Sequence, residues 1–345
     1  MAAIKGAMTR VTIADVARSA GVSKTAVSFA FNYPERLGTV TLDRVLQVAQ
    51  ELGYTPHPTA RALSMQRSGA IGLLIPQGLS TVFGNPFTSE LIQGLGAACA
   101  EHDLTLLLVP PLAGSLEDAI RQASVDGFIS LGLTPGDPAL EILRQLGLPT
   151  VLVDSEAGGG QAVVNVDDRG GAEAAGRHLV DLGHRRVALI LPPPARSQAG
   201  LTAVAARRLA GYRAALCDLP EPFLVTASAT LEAGARAFRA LPRGPERPTA
   251  VLAMSDMAAI GLMAAAREAG LRVPEDLSVV GFDDLPLAAW TDPGLTTVRQ
   301  PIVEKGRLAA ALLVRLLGGE TVASPPPLTT NLVRRGSTSA PGGEG

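Results

Sequence analysis

Apolar residues recur at two spacings along this chain, and the change falls near residue 70. Before it the period is helical. Ile13, Val16, Ala17 and Ala20 lie three and four apart, which is one face of a helix. Thr12 stands ahead of them as an N-cap, with Asp15 three residues on as its acidic partner, and Gly21 supplies the stop. Ser23 caps a second predicted helix over residues 24–31, with Val27 and Ala30 as its inner face. A third helix is predicted from 39 to 52, with Leu42, Val45, Leu46, Ala49 and Leu52 inward and Gly53 behind it. Pro56 and Pro58 then forbid an immediate continuation. Residues 60–65 have room for only one or two turns, too few to hold alone. That stretch reads as a linker that orders on contact with a partner.

Beyond residue 70, apolar runs alternate with helical segments. Strands are predicted at 71–75, 105–109, 127–131, 150–153, 162–166, 187–191, 223–226, 250–253 and 277–281, with one more at 328–333. Helices are predicted near 88–101, 115–123, 138–146, 170–182, 201–216, 231–240, 256–269 and 302–317. Strands that are apolar on both faces and separated by helices define parallel α/β sheets. About nine strands over this length suit two sheets better than one. In such sheets ligands bind beyond the carboxyl ends of the strands.

Composition changes the picture only where it is uneven. The 345 residues are 47% hydrophobic and 18% charged, enough for sizeable cores. No apolar run reaches the length of a membrane span, and no apolar signal core follows Lys5, so a cytoplasmic protein is expected. Cys99 and Cys217 read as buried, reduced thiols. The net charge of −2 argues against nucleic acid, but its distribution reverses that. Residues 1–67 hold eight basic residues against four acidic ones, so the first segment is positive and the remainder negative.

Two short capped helices joined by a glycine turn and backed by a third form a helix-turn-helix. Capped helix N-termini present N–H groups to phosphate oxygens. Lys24 and Thr25, the first exposed residues of the second helix, would reach base edges in the major groove, with Lys24 donating to guanine O6/N7. Thr12, Ser23, Ser28 and Asn32 are placed to meet the DNA backbone. The string Val-Thr-Ile-Ala-Asp-Val-Ala-Arg-Ser-Ala-Gly-Val-Ser-Lys-Thr-Ala-Val-Ser at 11–28, then Asn32 and Glu-Leu-Gly-Tyr-Thr-Pro at 51–56, resembles the DNA-binding head of the LacI/GalR family of bacterial transcription regulators. The resemblance runs on through Asn-Pro-Phe at 85–87, Asn165 with Asp167 and Asp168, Arg-Arg-Leu-Ala-Gly-Tyr at 207–212, Val-Gly-Phe-Asp-Asp at 280–284 and Leu-Thr-Thr-Val-Arg-Gln-Pro at 295–301. Two departures stand out. Phe29 occupies a position where family members often carry Arg, and Phe can touch a thymine methyl or pack on its own helix. Ala26 stands where Thr is frequent.

The resemblance implies an N-terminal all-α helix-turn-helix head and hinge, followed by an α/β periplasmic-binding-protein-like core of two parallel-sheet lobes. The expected division is a flexible tail at 1–10, a head at 11–56, a hinge at 57–68, a core at 69–335 and a tail at 336–345. Lobe 1 takes about 69–166 and 298–326, and lobe 2 about 167–297 and 327–335. Residues 58–65 are implied to become a hinge helix when two subunits meet on DNA, with Leu63 wedged into the minor groove and Ala60 beside it. Strand ends and the resemblance together nominate Phe83, Asn85, Phe87, Asp154, Arg208, Ser255 and Asp283 for an effector. Asp256 and Asp284 also follow strands, with helix capping as their plainer role. Ser255 stands where Asn often appears.

Carboxylates and a guanidinium converging on a cleft suit a sugar or polyol. Aromatics are only 3% of the chain, so Phe83, Phe87 and Trp290 are the available stacking rings. No zinc spacing, phosphate-binding glycine motif or nucleophile triad is present, so neither cofactor, metal nor catalysis is expected. His184 reads as a turn residue. The expected protein is a homodimeric repressor that binds a double-stranded, pseudo-palindromic operator under control of a small molecule, with no membrane partner. Dimerisation is expected through the core, because no heptad zipper follows it. A sugar-binding protein or sugar-acting enzyme with an incidental helical head is the alternative class. The capped head and proline-bounded hinge stand against it.

Overall fold

The structure is a computed structural model and describes residues 11–55, 67–76, 78–133, 136–156, 158, 160–194 and 201–342. The expected tail at 1–10, and most of the hinge, including Ala60 and Leu63, lie outside the described residues. The chain divides into two compact units, Met1–Gly69 and Ala70–Gly345.

In the first unit, α1 (Ile13–Ala20), α2 (Lys24–Asn32) and α3 (Thr39–Glu51) surround a small core of Val16, Ala17, Ala20, Val27, Ala30, Val45 and Ala49. The Asp15 carboxylate accepts from both the amide and the hydroxyl of Thr12, at 3.0 and 2.7 Å. The Ser23 hydroxyl accepts from the Ala26 amide at 3.1 Å. Gly21 closes α1 in the left-handed region, at φ +66°, which glycine enters without steric cost. Leu46 and Leu52, expected inside, are exposed. The reason is size: so small a core takes one i, i+4 stripe of α3, Val45 and Ala49, and Leu46 falls one residue round the helix from it.

The second unit holds two sheets. The first contains β1 (Ala70–Leu74), β2 (Thr105–Val109), β3 (Gly127–Leu131), β4 (Thr150–Val153) and β5 (Ala162–Val164), ordered β2-β1-β3-β4-β5 and wholly parallel. The second contains β6 (Val187–Leu191), β7 (Phe223–Thr226), β8 (Ala250–Ala253), β9 (Ser278–Asp283), β10 (Thr296–Arg299) and β11 (Asn331–Val333), ordered β11-β10-β9-β8-β6-β7. Only β11 is antiparallel to its neighbour.

Around the first sheet lie α4 (Leu79–Phe83), α5 (Pro86–Glu101), α6 (Leu116–Gln122), α7 (Pro138–Leu146) and α13 (Ile302–Leu317). Around the second lie α8 (Asp168–Asp181), α9 (Ala203–Ala215), α10 (Leu231–Ala240), α11 (Asp256–Glu268) and the short α12 (Pro286–Trp290). Backbone-close helix pairs clamp both lobes. A Cβ on Gly94 of α5 would run into the Val303 carbonyl of α13, and one on Gly261 of α11 into the Leu231 carbonyl of α10.

The α/β reading with two lobes holds, with corrections at its joints. β10 had no predicted counterpart because its two threonines, Thr296 and Thr297, hide an apolar pattern, although both are fully buried. Since β10 pairs with β9, Val298 and Arg299 belong to the second sheet, and the crossover to lobe 1 follows them. The strand expected at 162–166 ends at Val164, and that at 328–333 begins at Asn331; a single bridge joins Val166 to Leu328. Residues 83–87, ahead of the helix predicted near 88–101, contain the end of α4 and the start of α5.

The expected tail at 336–345 is not one over its described part. Ser337 is fully buried, accepting from the Thr296 amide at 2.8 Å and donating to the Val279 carbonyl at 2.6 Å. Ser339 donates its amide to the Ser278 hydroxyl, and its carbonyl receives His184 Nε2 at 2.9 Å. Hydroxyls here take the place of a strand ladder, so a Pro- and Gly-rich segment docks without an apolar pattern. Ser337→Ala strands the Thr296 amide in the core. It should lower stability by about 1–3 kcal/mol in urea unfolding.

Candidate functional site

On the head, Thr25, Ser28, Phe29 and Asn32 stand at i, i+3, i+4 and i+7 of α2, on the side opposite buried Val27 and Ala30. Lys24 and Thr25 are exposed at its N-terminus. Asn32 Nδ2 donates to the Ser28 hydroxyl at 3.2 Å, while Asn32 Oδ1 has no hydrogen-bond partner among the described residues. Thr12 and Ser23 serve as caps, so their side chains first organise the helix starts. Phe29 packs edge-on against Tyr33 with 6.0 Å between ring centres. The arrangement is one outward helix face of hydrogen-bonding side chains with one cation at its start.

In the second unit, Asp154 and Asp283 stand at the carboxyl ends of β4 and β9 and are tied to each other and to Arg208 of α9 through residues not nominated from the sequence. Asp154 follows β4, with φ +55°. The Lys305 ammonium on α13 donates to both Asp154 oxygens, at 2.8 and 3.0 Å, and to Gln300 Oε1 at 2.7 Å. Gln300 Nε2 donates to Asp283 Oδ1 at 2.6 Å. Asp283 ends β9 at φ +125° and lies 3.8 Å from Arg208 Nη1. Arg208 donates to Asp168 Oδ1 at 2.9 Å and to the Met254 carbonyl at 2.5 Å, with its guanidinium 3.5 Å from the centre of the Phe282 ring. Arg207 takes the other Asp168 oxygen at 2.8 Å. An unbroken polar chain therefore runs from Asp154 in lobe 1 to Asp168 in lobe 2.

Burial governs the titration of Asp283 and of its neighbours Asp256 and Tyr212. It pushes Asp283 up to about 6, against the opposing pull of Arg208, Gln300 and Lys305. Burial, with the nearby Asp283 charge, also holds the Asp256 carboxyl well above the usual range. The Tyr212 hydroxyl is raised by burial and has no hydrogen-bond partner among the described residues.

Beside Arg208 lies a cavity of about 60 Å³, lined also by Ser255, Met254, Ile190, Val204 and Ala258. Arg208 and Ser255 thus share a cavity, while Asp283 and Asp154 join through the polar chain. Phe87 joins as well, its ring centre 5.2 Å from Lys305 Nζ. Asn85 caps α5 by accepting from the Phe87 amide. Phe83 and Trp290 are exposed at 62% and 85%, so only Phe87 of the three rings meets the junction.

Several smaller expectations are corrected. Ser255, not Asp256, caps α11, because its hydroxyl accepts from the Ala258 amide. Asp256 instead accepts from the Leu285 amide and the Thr297 hydroxyl. Asp284 caps no helix and pairs with Arg299 and Arg335, each at 2.6 Å. Cys217, expected to be buried, is exposed, while His184 does stand in the turn between α8 and β6, with its ring buried and bonded to Thr249 and Ser339. Lys305, Gln300 and Asp168 were missed as junction residues. The available signal was Lys305 itself, one of three lysines in the chain and set in an apolar helix face.

A helix-turn-helix head joined to a two-lobed α/β core with polar residues at its strand ends defines a DNA-binding regulator of the ligand-responsive kind. The chain belongs to the lacI family of bacterial regulatory proteins: residues 12–57 match that family's model, and residues 177–338 match the periplasmic binding protein-like domain. It is 33% identical to the ribose operon repressor of Escherichia coli (strain K12), over 94% of this chain and 99% of that protein. It is similar to the structure of the lac repressor dimer bound to operator and the anti-inducer ONPF, with a TM-score of 0.82 and 26% identity over 96% of this chain and 100% of that one. It is also similar to a complex of the regulator CelR with cellobiose, with a TM-score of 0.71 and 30% identity over 95% and 100%. No helix among the described residues is long and apolar enough to cross a membrane, and none of their His, Cys, Asp and Glu side chains form a group of three suited to a metal ion.

Two outcomes test the junction. Lys305→Met leaves the Asp154 carboxylate without its cation and should cost about 3–5 kcal/mol in chemical unfolding, part of it recovered by adding Asp154→Asn. Asp283, raised above its unfolded value, favours the folded state fully below about pH 4, and this contribution is lost as pH rises through about 6. Urea titrations across that window should show a smaller fall in stability for Asp283→Asn than for the parent protein.

Proposed function

We propose that this protein is a dimeric repressor that binds a pseudo-palindromic operator and is controlled by a neutral, polyhydroxylated small molecule in the cleft between the lobes. The observation that carries the ligand class is the polar chain from Asp154 to Asp168. Its carboxylates are matched by Lys305, Arg208 and Arg207, so among the described residues of the chain no cation is left over for a phosphate or carboxylate group. What remains are donors and acceptors at fixed angles, which suit vicinal hydroxyls. The names of similar proteins, a ribose operon repressor and a cellobiose complex of CelR, support the same class.

The head, residues 11–56, reads DNA through Lys24, Thr25, Ser28, Phe29 and Asn32, with Thr12 and Ser23 meeting phosphates. The lac repressor dimer bound to operator supports two heads on one site. The hinge, 57–68, sets Leu63 and Ala60 in the minor groove between the heads. The core from 69 onward binds effector and pairs the subunits. Acting on DNA, the protein works in the cytoplasm, and no step of this scheme requires catalysis.

Control follows from linkage. The ligand acts only through its differential affinity for the DNA-competent and incompetent arrangements of the lobes, a coupling of about 1–3 kcal/mol. The experiment is selection from random duplex DNA at stated salt, followed by titration of the selected site with and without D-ribose and cellobiose. An inverted repeat whose affinity changes about 5- to 150-fold with one of the sugars bears out the reading. Binding that is weak, salt-dominated and indifferent to sequence refutes it. Leu63→Ala should weaken the selected site by about tenfold or more without moving the thermal midpoint; unchanged affinity would remove Leu63 from the interface.

A further inference from the structure

We propose that Arg36 is a base-reading residue of this head, its guanidinium laid on Phe29 and Tyr33 and aimed at a guanine edge in the major groove. The proposal rests on the head being an operator reader. It concerns a residue outside the recognition helix, in the turn Pro34–Arg36.

Three observations carry it. The first is an unspent set of donors. Arg36 is exposed, and no carboxylate pairs with it among the described residues, whereas Arg18 of the same head is tied to Asp15. The second is support. The Arg36 guanidinium carbon lies 4.7 Å from the centre of the Tyr33 ring and 5.6 Å from that of Phe29. The two rings brace each other edge to face. A free arginine loses much rotamer freedom when it binds, whereas one held on ring faces has lost part of it already. A guanidinium held over rings gives up none of its N–H groups to a carboxylate, so its planar fork, the shape that matches guanine O6 and N7, stays available.

The third is placement. Phe29 shares the outward face of α2 with Thr25, Ser28 and Asn32, so a cation resting on it stands on the reading side of the helix. The only charged residue of α2 itself is Lys24, at its N-terminal end. The sites suited to phosphate are the capped helix N-termini at Thr12 and Ser23, whereas Arg36 lies past the C-terminus of α2. Phe29 is then a positioning residue. It makes no hydrogen bond to DNA itself and holds the side chain that does.

The test is site selection with the full-length chain, followed by affinities for the selected site and its single-base variants over several salt concentrations. The parent protein, Arg36→Ala, Arg36→Lys and Phe29→Leu are compared. The parent should enrich an inverted repeat with a guanine at one position of each half-site. Arg36→Ala and Arg36→Lys should both lose about 10- to 100-fold of discrimination at that position alone. Arg36→Lys should keep the parent's salt dependence, because it keeps the charge and loses the fork. Phe29→Leu, which retains an apolar group for a thymine methyl, should relax the same position. The proposal is overturned if Arg36→Ala weakens all sequences alike and lowers the salt slope by about one, the mark of a phosphate contact. It is equally overturned if base preference is untouched, or if Phe29→Leu relaxes a different position. A parent chain that enriches no repeat would overturn the operator reading itself, and this assignment with it.

Discussion

Everything at the centre of the core depends on placing ionised groups where water is scarce. The Lys305 side chain is fully buried, and an ammonium there is tolerable only with acceptors around it. It has three: both Asp154 oxygens and the Gln300 amide oxygen. Gln300 turns its other end to Asp283, so one side chain relays the demand for partners from a cation to a carboxylate. Arg208 and Asp168 continue the alternation. Each group is satisfied by the next, and losing one partner strands its neighbours, which makes the row a cooperative unit rather than a set of separate pairs.

That row spans the two lobes beside an apolar contact. Met257 and Leu285, from the second lobe's elements, pack into the same cluster as Ile75, Val82 and Leu91 of the first. The two kinds of contact differ in what they permit. Apolar surfaces tolerate sliding, since their attraction has little direction. Hydrogen-bonded charges have preferred lengths and angles, so they favour a few discrete arrangements. A junction built from both can move between states while resisting intermediate ones, and a hydroxylated molecule competing for Asp154 or Arg208 would shift that balance.

Much of this architecture was legible in the sequence, and the failures share a physical cause. Strands with plain apolar runs, such as β6 and β8, stand where the pattern put them. The capped helices of the head were equally readable, because a cap is a local arrangement of neighbouring residues. What escaped was structure whose stabilising partner is distant in sequence. β10 hides Thr297 by hydrogen bonding to Asp256, and Ser337 bridges the adjacent strands β9 and β10 through Val279 and Thr296. The strand-end carboxylates Asp154 and Asp283 were nominated, but the cation joining them lies on a helix 151 residues beyond Asp154. Capping was assigned to Asp256 when the preceding Ser255 does it, since composition alone does not distinguish adjacent candidates.

The head shows why such a junction can govern DNA binding at all. Among its described residues, only Lys24, Arg36 and Arg44 offer cations without an ion-pair partner, since Arg18 is spent on Asp15. Affinity for DNA rises with the number of phosphates neutralised, so a head this sparsely charged holds a duplex weakly by itself. A weak reader gains most from a second reader tethered at the right distance, and it loses that gain when the geometry forbids both from engaging. Modest changes between lobes are then sufficient, because they need not abolish either head's contacts. They need only alter how often both can be made at once.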